Sequence, residues 1–352
     1  MKKILLATTA LIALGGVSVA AADVSVSGHV RYHYDSWSDE VVDATNSGNN
    51  NNSMSTDAEI WIKGKMVTDN GLTIAPEIRL NNLHDKDEPA SGRHYIKLSD
   101  DWGTLTLGRQ HSVARTMSLD GEWRGTISGA NAPAGATTAP LDGDKAAVAK
   151  EKNTVLKTPN IGAYAGPAAV IYQTPNVSGF QAGVYFGDAG GDSKANATDI
   201  AVTYGLDAFG DGGLKLGYIS NSIAAENNSE KKHENNQLGL ELTAGDFLAS
   251  VVQTKKKATP KNGGMSDKQT GQELELAYTA SDSLTVNTVM FSSKNDEGAN
   301  KGDKYKSTGF GVKYTIAPGL WASLGYTTFT TTPDTGTKNK GNGMRLRVHA
   351  GF

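Results

Sequence analysis

Apolar and polar side chains alternate strictly in the first segment after residue 22. Small or apolar residues occupy the even positions from Val24 to Tyr34, and polar or charged residues occupy the odd positions from Ser25 to Asp35. An α-helix, with about 3.6 residues per turn, would not separate these two sets, whereas a β-strand with period two does. The run is close to the ~9–11 residues of a tilted membrane strand, so the pattern predicts a strand with one apolar and one polar face.

The same alternation recurs to the end of the chain. It predicts sixteen strands, the first at 24–35 and the last at 343–352. In the last of these, Leu346 and Val348 alternate with Arg345 and Arg347. An even number of antiparallel strands returns both ends of the sheet to the same side of a membrane.

Three of the predicted strands depart from clean alternation. The apolar residues at 247–255 and 284–292 do not alternate regularly, so the faces of these two strands stay open. In the short fifth strand, Leu107 and Arg109 share a face by parity. A β-bulge at Gly108 would separate them, because a bulge adds one residue to one strand and turns the following side chains over.

The connections between the strands alternate in length. Short turns rich in Gly, Asn, Asp and Pro alternate with longer polar segments, and one connection, at about 110–166, is far longer than the others. Short turns on one side and long loops on the other are typical of a transmembrane barrel. Aromatic residues near strand ends would form its interfacial girdle; they are Tyr32, Tyr34, Trp37, Trp102, Tyr185, Tyr218, Tyr314, Trp321 and Tyr326.

Composition narrows the class of protein further. The 352 residues contain no Cys, which excludes disulfides, thiolate metal sites and a thiol nucleophile. The formal net charge of -3 lacks the basic excess of a nucleic-acid-binding protein, so no nucleic-acid partner is expected. A mean hydropathy of -0.39 excludes a bundle of transmembrane helices but not a barrel, whose apolar residues alternate with polar ones.

The first 22 residues have the features of a secretory signal peptide. Lys2 and Lys3 precede an apolar run from Ile4 to Val19, and the small residues Ala20 to Ala22 follow. We therefore expect cleavage after Ala22, export from the cytoplasm, and a single barrel domain over 23–352. The lack of Cys fits passage through an oxidising periplasm.

A sheet in a membrane must close on itself, because every backbone N–H and C=O needs a partner in the hydrocarbon layer. Sixteen strands enclose a water-filled lumen rather than a core packed with side chains. The charged residues of the polar face are then hydrated. The fold class predicted is an all-β, sixteen-stranded antiparallel transmembrane barrel.

Three motifs and the final residue resemble the general Gram-negative porins. The motifs are VSVSGHVR at 24–31, WGTLTLGRQ at 102–110 and YQTPNVSGF at 172–180, and the last strand ends at Phe352. The resemblance covers essentially the whole predicted barrel. It implies a homotrimer in the outer membrane, among phospholipid and lipopolysaccharide, with the third long loop folded into each pore. It also implies that Phe352 is an assembly signal, read by the barrel-assembly machinery.

By this resemblance the long connection at about 110–166 is the constriction loop. Its acidic residues Asp120 and Glu122 would face a basic cluster across the pore, with Arg124 contributing positive charge among them. The loop lacks the sequence Pro-Glu-Phe-Gly-Gly of the enterobacterial porins, so simple solvation of Asp120 and Glu122 stays open. Opposed charges across a narrow wet gap orient polar solutes. The basic pore-lining residues expected are Arg31, Lys63, Arg79, Arg93, Arg109, Arg345 and Arg347.

The function predicted is passive diffusion of small hydrophilic solutes and ions through the pore, without bond making or cofactor. One alternative is a channel selective for a sugar or an anion, which an aromatic ladder in the lumen would favour; Trp61 and Tyr95 are inward candidates. A second alternative is an enzyme built on a barrel, although no Gly-x-Ser-x-Gly motif occurs. A third alternative is a structural or adhesive barrel with a blocked lumen. His29 and His33 share a strand face, but no companion carboxylate was placed at metal-ligand spacing, so no metal site is expected.

Overall fold

The computed structural model describes residues 23–39, 51–81, 91–119, 168–188, 196–207, 212–224, 231–260, 263–334 and 338–352. Within them the chain forms sixteen strands and one short helix, α1 (Val113–Thr116), between β5 and β6. The strands are β1 (Asp23–Asp39), β2 (Asn51–Val67), β3 (Thr73–Leu80), β4 (Ser91–Asp100), β5 (Gly103–Arg109), β6 (Ala169–Gln173), β7 (Phe180–Asp188), β8 (Asn196–Asp207), β9 (Gly212–Ile223), β10 (Lys231–Ala244), β11 (Phe247–Pro260), β12 (Asp267–Ser281), β13 (Leu284–Glu297), β14 (Lys304–Ala317), β15 (Leu320–Thr332) and β16 (Asn339–Gly351).

The strands form one closed antiparallel barrel, as predicted. Each strand pairs with its neighbours in sequence, and β1 pairs with β16 to close the ring. At the closing seam, His29 lies opposite Gly351, and the backbones of Gly28 and Phe352 exchange two hydrogen bonds of 3.0 Å. No helix in the described residues is long and apolar enough to cross a membrane.

Burial alternates along the strands in the predicted sense. In β1 the apolar residues Val24, Val26 and Val30 are each at least half exposed, whereas His29, His33 and Asp35 are buried on the opposite face. The exposed apolar residues recur around the barrel, so its outer surface is hydrophobic and its inner wall is polar. That is the arrangement expected when lipid surrounds the barrel and water fills it.

The two strands whose faces were left open carry apolar residues on both faces. In β11, Val252 is fully buried on the inner wall while Val251 points outward. In β13, Val289 and Phe291 point inward and Met290 outward. Phe291 packs with Tyr305 and Phe329 of the next two strands to form a small apolar cluster on the inner wall. Alternation was unclear there because the interior is not uniformly polar.

The bulge expected at Gly108 is not present. The β4–β5 ladder runs without a register shift from Asp100 opposite Gly103 to His94 opposite Arg109. Gly108 instead has a φ of 122°, and an added Cβ would lie 2.6 Å from the His94 carbonyl oxygen, so only glycine fits. The chain changes direction through glycine geometry rather than through an extra residue.

Two aromatic residues assigned to the interfacial girdle lie inside the barrel instead. Tyr185 is fully buried in an apolar cluster on the inner wall, and Trp321 stacks on His349 there. Tyr218 and Tyr326, by contrast, are nearly half exposed on the outer face. Position near a strand end therefore did not distinguish rings that face lipid from rings that face the lumen.

The chain folds into the barrel directly after β5. Val113 and Met117 pack on Ile171, Tyr185 and other buried residues of the inner wall from β6 to β9. Leu119 continues along the wall, where Cβ atoms added to Gly217 or Gly239 would lie about 3 Å from its side chain. The glycines of the wall thus make room for the segment 110–119, which we call the inner segment.

Candidate functional site: the inner wall of the barrel

Five of the predicted pore-lining arginines lie on one arc of the inner wall. Arg31 is on β1, Arg79 on β3, Arg93 on β4, and Arg345 and Arg347 on β16. Because β16 closes against β1, these strands and β2, which lies between β1 and β3, form one continuous stretch of the barrel. Alternation of burial places each side chain on the inner face, and we call this region the basic arc.

The other predicted residues have different positions. Lys63 of β2 belongs to the basic arc and is exposed, with its Nζ 5.3 Å from the centre of the Trp61 ring. Arg109 is half-buried at the end of β5, opposite the exposed His94 in the ladder. Asp120, Glu122 and Arg124 lie outside the described residues.

Carboxylates outside the predicted set of pore-lining residues neutralise part of the basic arc. Arg31 Nε donates to Asp57 Oδ1 at 2.8 Å, and Arg79 pairs with Glu59. Arg345 Nε donates to Asp35 Oδ1 at 2.6 Å, across the β1–β16 seam. Asp35 and Glu59 have the same parity as the polar residues around them, so strand alternation alone could have identified them. The arc is a paired network rather than a patch of free cations.

Histidines connect the two halves of this network. His33 Nδ1 accepts a 3.4 Å hydrogen bond from Arg347 Nε, while His33 Nε2 lies 3.2 Å from Asp57 Oδ2. An arginine cannot accept a proton, so His33 Nδ1 must be the unprotonated nitrogen and Nε2 must donate to Asp57. His29 Nε2 lies 3.3 Å from the other oxygen of Asp57. Asp57 therefore holds two imidazoles and one guanidinium in place.

The inner segment is fixed to the wall at both of its ends. Gln110 Oε1 accepts hydrogen bonds from Arg93 Nη1 at 3.3 Å and from the His111 backbone at 2.8 Å. At the other end, Ser118 Oγ donates to Gln237 Oε1 on β10 at 2.7 Å. The segment thus runs along the inner wall from β4, in the basic arc, to β10.

His111 is held neutral where the segment starts. Its Nδ1 accepts a 3.0 Å hydrogen bond from Arg115 Nη1. Burial, and then the positive charges of Arg115, Arg93 and Arg79, lower the pKa of His111 to about 3. The ring therefore acts as a hydrogen-bond acceptor at neutral pH rather than as a further cation.

The wall opposite the basic arc carries buried carboxylates and amides. In a ring of sixteen strands, β9 lies across from β1. Asp199 on β8 accepts hydrogen bonds from Asn221 and from the Ala114 backbone, and Asn287 donates to the buried Glu275 of β12 at 3.3 Å. Lys215 on β9 and Lys256 on β11 lie on the same side, so the charge there is mixed. Carboxylates are thus present on the wall across from the basic arc, buried and bound by amide groups.

No group of three or more His, Asp and Glu residues in the described ranges could hold a metal ion. The contacts of His29 and His33 go to a shared carboxylate instead. Glu59, Asp57 and Asp199 each have arginine, histidine or amide partners. The inner wall is thus lined by charged and polar groups along a channel, with the inner segment packed against it.

A closed barrel with an apolar outside, a charged inside and a segment folded into the lumen defines a membrane channel. The family model for Gram-negative porins matches residues 7–334. The chain belongs to the Gram-negative porin family, whose members form diffusion channels in the outer membrane. Family and fold both point to a channel rather than to an enzyme.

Solved structures with this fold are distant in sequence. An anion-selective porin from Comamonas acidovorans is 14% identical with a TM-score of 0.67, and the match covers 94% of this chain and 100% of that one. The trimer form of the outer-membrane protein OmpT of Vibrio cholerae is 12% identical, with a TM-score of 0.64 and coverage of 94% and 100%. The outer-membrane channel DcaP of Acinetobacter baumannii is 12% identical, with a TM-score of 0.61 and coverage of 94% and 97%. A comparison with curated proteins gives no match.

Proposed function

We propose that this porin is a passive channel for small hydrophilic solutes and ions, with a charge filter on the inner wall and no catalytic step. The observation that carries the proposal is the basic arc of Arg31, Arg79, Arg93, Arg345 and Arg347 in a closed, water-filled barrel. With Lys63, these residues attract anions, while Asp35, Asp57 and Glu59 limit the excess of positive charge. Carboxylates on the far wall complete a transverse field that favours polar solutes over apolar ones.

The inner segment supports a constriction at this level of the barrel. Residues 110–119 run along the inner wall from β4 to β10, inside the lumen. We propose that the rest of the connection, to about residue 166, completes the constriction, with Asp120, Glu122 and Arg124 contributing charge. Arg109, at the start of this connection, would add to the basic side.

Maturation and assembly follow from the same proposal. Residues 1–22 would be removed as a signal peptide, leaving a barrel of residues 23–352 in the outer membrane, in contact with phospholipid and lipopolysaccharide. The structural similarity to a protein solved in a trimer form supports a homotrimer with one pore in each subunit. Phe352, exposed beside the barrel seam, is available as a signal for the barrel-assembly machinery.

Reconstitution into a planar bilayer tests the channel. We expect discrete conductance steps, with three closely coupled levels for each inserted trimer. The reversal potential under a salt gradient reports ion preference. Well-folded protein that inserts but gives no conductance would refute the channel and favour a structural barrel with a blocked lumen. Hydrolysis of a test ester, lost on replacement of one Ser or His, would favour an enzyme instead.

A further inference from the structure

Four aromatic rings form a continuous row on the inner wall. Trp321 stacks on His349 with ring centres 4.7 Å apart and planes at 12°. His349 and His29 are 4.9 Å apart, and His29 contacts Trp61 edge-on at 5.6 Å. The rings come from β15, β16, β1 and β2, which are consecutive around the barrel. We call Trp321, His349, His29 and Trp61 the aromatic row.

Cations border the aromatic row at both ends. Lys313 Nζ lies 4.9 Å from the centre of the Trp321 ring. At the other end, Lys63 Nζ lies 5.3 Å and Arg79 Cζ 5.8 Å from the centre of the Trp61 ring. A cation over an aromatic face is attracted by the negative charge of the ring face. Each tryptophan therefore has at least one positive charge over its ring, within reach of an anionic group that contacts the ring.

The row is accessible from the lumen. Trp61, Trp321 and His349 are each partly exposed on the inner face and Lys63 is exposed, whereas His29 is buried between them. This separates the row from the cluster of Phe291, Tyr305 and Phe329, whose rings are buried. Solutes that pass through the barrel can contact Trp61, Trp321 and His349 but not the rings of the buried cluster.

The charges near the aromatic row favour an anionic ligand over a neutral or cationic one. The carboxylates closest to it, Asp57 and Glu59, are already bound by Arg31, Arg79 and His29. A sugar would need such carboxylates as free hydrogen-bond acceptors, and an organic cation would need them as counter-ions. The charges beside the ring faces are instead Lys63, Lys313 and Arg79, which pair with anions.

We propose that the aromatic row is a transit site for small planar aromatic carboxylates, an inference that rests on the proposed channel function and names a solute class for it. The ring of the solute stacks on Trp61 or Trp321, and its carboxylate pairs with Lys63 or Lys313. The row extends along about 15 Å of wall, since neighbouring strands lie ~4.8 Å apart. A solute can therefore move between the two tryptophans by short steps past the partly exposed His349.

Block of the ion current by two matched acids tests this site in the full-length protein reconstituted into planar bilayers. The probes are benzoate, which is planar and aromatic, and cyclohexanecarboxylate, which has the same charge and similar size but no aromatic ring. We expect half-block by benzoate at a concentration about two- to tenfold lower, the gain typical of one aromatic stacking contact. Equal block by the two acids would overturn the proposal, and this comparison needs no variant.

Replacement of the tryptophans locates the effect. Trp61→Leu and Trp321→Leu should each reduce the preference for benzoate, and the double variant should abolish it, whereas Trp61→Phe should keep part of it. Trp102→Leu is the matched control, because Trp102 lies on the turn between β4 and β5 and stacks on Tyr172 outside the lumen. A benzoate preference that survives the double variant would overturn the assignment to this row. Absence of any conductance would refute the channel itself, whereas conductance with equal block refutes the transit site alone.

Discussion

Replacement of Glu59 by Gln should make the channel more selective for anions. Glu59 is only 7% exposed, pairs with Arg79, and has an oxygen 3.7 Å from Arg31 Nη2. Glutamine has nearly the same shape as glutamate but no charge. The substitution therefore adds one net positive charge to the lumen and leaves two arginines less neutralised.

The size of the effect follows from Coulomb's law in water. A unit charge about 7 Å from a passing ion interacts with it by ~0.6 kcal/mol in water. Salt at about 0.1 M roughly halves this energy, because the Debye length is then ~10 Å. Anions gain and cations lose the same amount, so their permeability ratio should change by about 0.6 kcal/mol, or roughly threefold.

The assay is the reversal potential in a KCl gradient, measured for the wild-type protein and for Glu59→Gln. Glu234→Gln is the matched control, because Glu234 points outward on β10, pairs with Lys232 at 2.8 Å, and loses the same charge away from the lumen. The double variant Glu59→Gln/Arg79→Gln should return the ratio towards that of the wild type. A folded Glu59→Gln channel with an unchanged reversal potential, or one shifted towards cations, would refute the placement of this pair in the conduction path.

Three further substitutions test the inner segment and the barrel seam. Burial beside Arg115 lowers the pKa of His111 to about 3, so the docked inner segment with neutral His111 is stable above pH 6.5 and loses stability as the pH falls from 6.5 towards 3. Hydrogen exchange of the inner segment should show this loss of stability. The variant His111→Gln should remove the pH dependence. Gly183→Leu should push α1 into the lumen and lower the single-channel conductance, whereas Gly205→Leu, with open space around its added Cβ, should not. Phe352→Ala should reduce the amount of assembled barrel in outer-membrane fractions, and normal amounts would rule out an assembly role for this ring.

The barrel itself could be predicted from sequence because one rule repeats in every strand. A residue's parity within its strand decides whether it meets lipid or the lumen, and a wrong face would expose charge to hydrocarbon at about 2–4 kcal/mol near the midplane. The parity of Arg31, Arg79 and Arg345 in their strands corresponds to the inner face on which these residues lie. Strand limits were less accurate, since β1 and β2 extend several residues beyond the alternating core of each strand.

The parity of a residue in its strand does not determine which other side chains it contacts inside the barrel. Tyr185 is buried because α1 packs on it, and α1 comes from a connection with no periodic pattern. The partners of Arg31 and Arg79 come from β2, so they depend on the register between strands, which a single strand's pattern does not contain. Trp321 and His349 meet for the same reason, one from each side of a ladder.

The three shortest consecutive strands of the wall, β5, β6 and β7, have seven, five and nine residues. Each of the two ladders that join them contains only five residue pairs, against eleven at the closing seam. The apolar face of α1 rests on Ala169, Ile171 and Tyr185 of β6 and β7. The inner segment therefore supports the part of the barrel wall that has the shortest strands. Loop deletions meant to widen the passage would also weaken the wall where it has the fewest backbone hydrogen bonds.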